Sequence, residues 1–328
     1  MRKRPFLSRA WGGLTRHQDW NIGIVRAPIS AFVDPVFEPE VQWLPPPPAG
    51  RFAADPFVFV HSGAHYLLYE DYTFATERGH LAAIRLGEDG SGAACGPVLK
   101  APTHLAYPFV FEWNGETYCV PESADGGEVA LYRIERIPGT LQKTGTLLSG
   151  IAAIDPTVFR YGNRWWLAFT DRAHGSNEAL FLYFAGSPLG PWTPHLMNPV
   201  KRDIRSARPA GTPFLHEDTL YRPAQDCSAT YGGRIALNRV TELTPERFSE
   251  ETVRWIEPRA DGPRPHGLHT ISSAGDITVI DGKRERFVPS AAFGLFRRQL
   301  GALFSASAPR KRPDAVAGAS PVRPGAES

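Results

Sequence analysis

Three short strings carry the residues best suited to chemistry. Asp55-Pro-Phe-Val-Phe59, Tyr107-Pro-Phe-Val-Phe111 and Asp155-Pro-Thr-Val-Phe159 share the pattern x-Pro-x-Val-Phe. At one fixed offset beyond each final Phe stand Glu70, Glu122 and Thr170, followed by Asp71, Ser123 and Asp171. A weaker copy anchored on Phe214 puts Gln225 and Asp226 at the same offsets. Carboxylates gathered from such positions supply the parts for glycoside chemistry. One acid protonates a leaving oxygen while another acts as base or nucleophile, their pKa values driven apart by their surroundings. On this reading Asp55 is the base or nucleophile, Asp155 orients substrate and tunes pKa, and Glu122 or Asp226 is the acid. Glu70, Asp71, Tyr107 and Gln225 are expected to bind substrate, and Tyr107, Trp113, Trp165 and Trp166 offer platforms for sugar rings. Asp before Pro also starts turns and caps strand edges, so a purely structural role is the competing reading.

Two further groups are candidates for binding. Arg205-Ser-Ala-Arg208 could hold a phosphate, a carboxylate or an acidic sugar through forked hydrogen bonds, or could pair with Asp203 and Asp226 to support the fold. His269, in His266-Gly-Leu-His269, is placed to touch a ligand near the same centre. No zinc spacing, P-loop, Gly-rich dinucleotide fingerprint or Ser-centred nucleophile elbow occurs, so neither a metal nor a cofactor is expected. Cys95, Cys119 and Cys227 show no CxxC spacing.

These residues must be positioned by a repeated element. The anchors Phe59, Phe111, Phe159 and Phe214, with a degenerate fifth at Ile271, recur about every fifty residues, and an aromatic follows the first four at a constant offset (Tyr66, Tyr118, Trp166, Tyr221). Ile271 is followed by Thr278. Within a unit, strand-like runs flank turn residues, most clearly Phe109–Trp113, Asn114-Gly115 and Glu116–Val120. Units of this size with three or four strands are propeller blades, so the expected fold is all-β, a five-bladed β-propeller. Trp20–Val25 is expected to supply the outer strand of the last blade and close the ring. In that arrangement the repeated acids converge on one axial mouth.

Composition agrees. Gly and Pro number 31 each among 328 residues and aromatics reach 11%, which favours short strands and excludes a helical bundle. The net charge of +2 gives no support for nucleic-acid binding, and no apolar run is long enough for a transmembrane segment. Residues 1–19 are basic without the apolar stretch of a secretory signal, so a cytoplasmic location is expected. The propeller is expected over residues 20–290, a short amphipathic helix over 291–304 and a disordered tail over 305–328.

Several strings resemble a known family. Tyr107-Pro-Phe-Val-Phe-Glu-Trp-Asn-Gly, Val120-Pro-Glu-Ser, Ser187-Pro-Leu-Gly-Pro-Trp, Ser206-Ala-Arg-Pro-Ala-Gly, Arg222-Pro-Ala-Gln-Asp-Cys-Ser and Gly267-Leu-His-Thr look like the N-terminal domain of glucosamine inositolphosphorylceramide transferases, over roughly residues 18–290. The resemblance implies a five-bladed propeller similar to the furanosidase and fructosidase glycoside hydrolases. In the plant proteins of the family, transfer chemistry belongs to a separate C-terminal domain. The hydrolase propellers carry an Asp at the start of blade one, an Asp in blade three and a Glu in blade four. Asp55 and Asp155 match the first two, whereas blade four offers Gln225-Asp226. The function expected is a carbohydrate-active propeller that binds a glycan or glycoconjugate and cleaves or transfers a glycosyl unit. The alternative is a non-catalytic glycan-recognition module working beside a biosynthetic enzyme.

Overall fold

The computed structural model describes residues 16–287; the helix expected over 291–304 and the tail after it lie outside the described residues. Its strands form five separate sheets. Blade 1 comprises Arg51–His61, Ala64–Thr73, Arg78–Leu86 and Gly92–Leu99, in that order from the innermost strand outward. Blade 2 comprises Ala106–Trp113, Glu116–Glu122, Glu128–Ile134 and Gln142–Ser149. Blade 3 runs Ala153–Tyr161, Arg164–Asp171 and Ala179–Ala185, with two short outer strands. Blade 4 runs Phe214–His216, Thr219–Asp226, Arg234–Leu243 and Phe248–Ile256. Blade 5 takes Ile271–Ala274 and Ile277–Phe287 from late in the chain and completes them with Arg16–Val25 and Val41–Trp43 from its start.

The five-bladed propeller is therefore closed by the N-terminal strand, which leaves no blade edge open between the chain's two ends. Arg16–Val25 is the third strand of its blade and Val41–Trp43 the outermost, one place further out than the single outer strand expected from sequence. Five apolar clusters fill the five seams. Phe109, Val120 and Leu167 join blades 2 and 3, Leu68, Leu81 and Cys119 join blades 1 and 2, and Ile22, Leu67 and Val279 join blades 5 and 1. Ile235, Ile271 and Ile280 join blades 4 and 5, and Trp166, Leu180 and Leu220 join blades 3 and 4. Each blade is apolar on both faces because both faces meet a neighbour, which is why its strands read as near-continuous apolar runs.

Blades 1 to 3 share one local distortion, and it lies at the residues of interest. Ala54 pairs with Glu70 and Phe57 with Leu68, so Asp55 and Pro56 together oppose one residue. Tyr107-Pro108 and Asp155-Pro156 form the same bulge in their blades. Asp55, Tyr107 and Asp155 all adopt left-handed backbone, with φ of 52°, 43° and 51°. That conformation costs a non-glycine residue on the order of 1–2 kcal/mol, and bulges commonly re-aim a side chain beside a functional site. In blade 5 the repeat lies one residue later than the Ile271 anchor suggests. Ser272 faces Val279 as Phe59 faces Tyr66, so the equivalent of Glu70 is Lys283.

Candidate functional site

Asp55 and Asp155 point into a common hub, together with Tyr107, Glu122, Arg208, Gln225 and His269. Asp155 is the most firmly held. Arg208 Nε donates to its Oδ2 at 2.6 Å and Gln225 Nε2 to the same oxygen at 2.7 Å, while Arg208 NH2 lies 3.4 Å from Oδ1. Its backbone N–H donates to Glu122 Oε2 at 3.3 Å. Glu122 is 4.0 Å from the Arg208 guanidinium. Arg208 also donates to Asn177 and Tyr231, and lies 5.0 Å over the Tyr231 ring. Arg208 thus acts by fixing the acids of blades 2 and 3 from blade 4.

Asp55 is held from the other side. Thr270 Oγ1 donates to its Oδ1 at 2.7 Å and the Tyr107 N–H to its Oδ2 at 3.3 Å, and His269 Nδ1 is 3.7 Å away. Beneath it lies Asp281, wholly buried, which accepts the backbone N–H groups of His269, Thr270 and Asp55 and sits 2.5 Å from His269 Nδ1. His269 stacks on Trp20 at 4.0 Å between ring centroids. Tyr107 crosses the axis: its hydroxyl accepts the Gly211 N–H at 2.7 Å and pairs with Thr157 at 2.9 Å. Its ring is wholly buried and packed edge-on against Phe57 at 4.8 Å, so it presents no open face for a sugar. Gly211 (φ +120°) also lets blade 4 lie against Ile271 of blade 5, because a Cβ there would fall 1.7 Å from the Ile271 carbonyl oxygen.

Burial drives the electrostatics. Asp55 is pushed up to about 6 by loss of water, an effect that His269 opposes and that Asp155 and Asp281 reinforce. Glu122 stands well above the usual carboxylate range, through burial first and then the Asp155 charge, with Arg208 acting against both. Glu70 is raised for the same reasons, by burial and then by Asp55 and Glu122. Burial alone would depress His269, but Asp281 and Asp55 outweigh it and hold the ring protonated above its ordinary range. Lys283, missed in the sequence because of the one-residue slip, is lowered by burial to about 8. It donates to the Tyr231 carbonyl and to Thr230 Oγ1, pinning that loop over the hub. Asp55, His269 and Asp281 have donor atoms within 4.8 Å of one another and are the residues that could hold a metal. Here they satisfy one another.

Other sequence candidates lie elsewhere. Asp71 is on the opposite strand face from Glu70, paired with Arg51 and 3.4 Å from His80, and lines a separate cavity of about 390 Å³ walled by Pro45–Pro48. Asp226 alternates away from Gln225. It accepts from Ser228 and from Arg234 Nε at 2.9 Å; burial opposes its ionisation, but these partners hold it below the ordinary carboxylate range. Arg205 is exposed and bonded to Asp203. Trp166 is buried in a seam, and Trp113 and Trp165 sit at the hairpin-turn ends of their strands, away from the bulges. Asp281, Lys283 and Tyr231 belong to the hub region but carry no repeat signal, apart from the shifted register that reveals Lys283.

The family model "Glucosamine inositolphosphorylceramide transferase 1, N-terminal" matches residues 41–283, which hold blades 1 to 4 whole and blade 5 without its Arg16–Val25 strand. The chain belongs to this family. Glucosamine inositolphosphorylceramide transferase 1 of Oryza sativa subsp. japonica is 35% identical over 276 residues, covering 78% of this chain and 36% of the rice protein. The chain thus spans about a third of the length of that curated relative. Among solved structures, a family 117 glycoside hydrolase from Zobellia galactanivorans superposes with a TM-score of 0.52 at 14% identity, covering 80% of this chain and 90% of that one. The exo-β-1,3-galactanase of Clostridium thermocellum gives 0.52 at 10% identity, covering 68% and 57%. At these identities the likeness shows the family's fold, shared with glycoside hydrolase propellers. No helix among the described residues is long and apolar enough to cross a membrane.

Proposed function

We propose that this domain recognises the end of a glycan or glycoconjugate over its axial hub and serves an assembly pathway for such molecules alongside a biosynthetic enzyme. The observation that carries this reading is the Arg208–Asp155–Gln225 lock. An acid bound by two strong donors is a fixed acceptor and orienting group, suited to holding hydroxyls, and not a free nucleophile. The blade-four place that holds a Glu in the hydrolase propellers is filled by an amide already committed to Asp155. The relatives' names, which speak of a glucosamine-bearing glycolipid, agree with a carbohydrate ligand.

A second reading, glycosyl cleavage or transfer, is favoured by one specific observation. Burial pushes Glu122 well above the usual carboxylate range and Asp55 up to about 6, so two raised carboxyls in different surroundings share the hub, as acid–base chemistry requires. Glycan-array binding and aryl-glycoside turnover, measured for the parent and for Asp55→Asn, separate the two. Recognition predicts array binding with no turnover in either protein. Turnover in the parent that disappears in Asp55→Asn, with binding retained, favours the enzyme. Absence of any glycan binding overturns the proposal.

A further inference from the structure

Beside the hub, on blade 1, lies a group of aromatic rings that the hub's hydrogen-bond network leaves unused. Phe52 and Tyr72 face each other across paired strands, stacked with centroids 4.5 Å apart and planes 8° from parallel. Phe74, in the turn after the second strand, meets both edge-on at 5.6 and 5.5 Å. All three are half-buried. Three rings gathered beside a group of carboxyls combine apolar faces with hydrogen-bonding groups, the pairing that a sugar's C–H face and hydroxyls call for.

Strand alternation ties these rings to the hub. The Phe52–Tyr72 pair is two positions from the Ala54–Glu70 pair, so Tyr72 and Glu70 share a face. His104 links them. Its ring meets Tyr72 edge-on at 6.1 Å, and its Nε2 lies 3.5 Å from Glu70 Oε1. The Gly79 N–H donates to His104 Nδ1 at 2.9 Å, which leaves the imidazole proton on Nε2, aimed at Glu70. Gly79 is required for this arrangement, since a Cβ would fall 2.4 Å from Glu70 Oε1. The contacts therefore run from Glu70 through His104 to Tyr72, and from Tyr72 to Phe52 and Phe74.

We propose that Phe52, Tyr72 and Phe74 form a stacking subsite for the sugar ring that follows the glycan end held over the hub, with His104 marking the boundary between the two. This rests on the glycan reading above and adds its direction: the chain leaves the hub on the blade 1 side. The ligand class is a pyranose presenting an apolar C–H face, because the platform offers aromatic rings. The acidic hub holds the hydroxyl-rich end.

Saturation-transfer NMR and titration with gluco-, galacto- and manno-configured disaccharides, each beside its monosaccharide, tests this. The parent is expected to bind at least one disaccharide more tightly than its monosaccharide. Phe74→Ala, which lies outside the strands, and Tyr72→Leu should each remove about five- to tenfold of the disaccharide affinity. Monosaccharide affinity should be unchanged, and Tyr72→Phe should behave as the parent. Equal affinity for both sugars, or equal losses for both in the variants, overturns the subsite while leaving the hub reading intact. No binding of any sugar by the parent removes the hub reading and this one with it.

Discussion

At the scale of single residues, burial and partnership decide what each acid can be. Asp55 and Asp155 occupy equivalent bulges, yet Arg208 and Gln225 tie down Asp155, whereas Asp55 depends on Thr270, a backbone N–H and a more distant imidazole. Arg208→Ala would leave Asp155 buried and charged without its partner, and is expected to destabilise the domain by about 3–5 kcal/mol. Thermal or denaturant unfolding measures this, and Arg208→Met combined with Asp155→Asn should recover most of the loss. The pH dependence follows from the raised acids. Asp55 has its folded pKa near 6 against an ordinary value of 3.8, so its contribution to stability is complete below about pH 4 and is lost as pH rises through 6. Glu70 and Glu122 shift in the same direction. Unfolding free energy measured from pH 4 to 7 should therefore fall, and carboxyl ¹³C titration should place the Asp55 midpoint near 6.

Among elements, the three bulges and the cross-axis tyrosine govern where the acids point. Tyr107→Phe removes the acceptor for the buried Gly211 N–H and is expected to cost about 1–3 kcal/mol in denaturant unfolding without altering the blades. This scale also shows why the site was only partly legible from sequence. The x-Pro-x-Val-Phe repeat located Asp55, Tyr107 and Asp155 because a bulge needs the same local chemistry in each blade. The neighbouring pair Glu70-Asp71 read as two candidates, but strand alternation sends only Glu70 to the hub. Gln225-Asp226 divides in the same way. Asp281 was hidden because other blades place Leu68, Val120 and Ala168 at its strand position. Lys283 was hidden by the one-residue slip at Ile271.

For the whole molecule, the ring is closed by Arg16–Val25 lying between strands from the chain's far end and Val41–Trp43. Five-blade architecture was readable because the period and the Asn-Gly-type turns recur, and Trp20–Val25 was readable as the closing strand; that Val41–Trp43 lies outside it was not, since so short a strand carries no repeat signal. Ile22 is fully buried in the seam between blades 5 and 1. Ile22→Asp should abolish the cooperative unfolding transition, whereas Leu215→Asp, at an exposed position, should stay within about 0.5 kcal/mol of the parent. Closure also matters for the hub, which joins Asp55 of blade 1 to His269 and Asp281 of blade 5 across that seam. The most direct test of the functional account is to follow the side-chain carboxyl ¹³C resonances while titrating in the tightest-binding glycan from an array. The account predicts saturable shifts at Asp55, Glu70 and Glu122. Saturation with those three unmoved, while residues along the Pro45–Pro48 cavity respond, would contradict it.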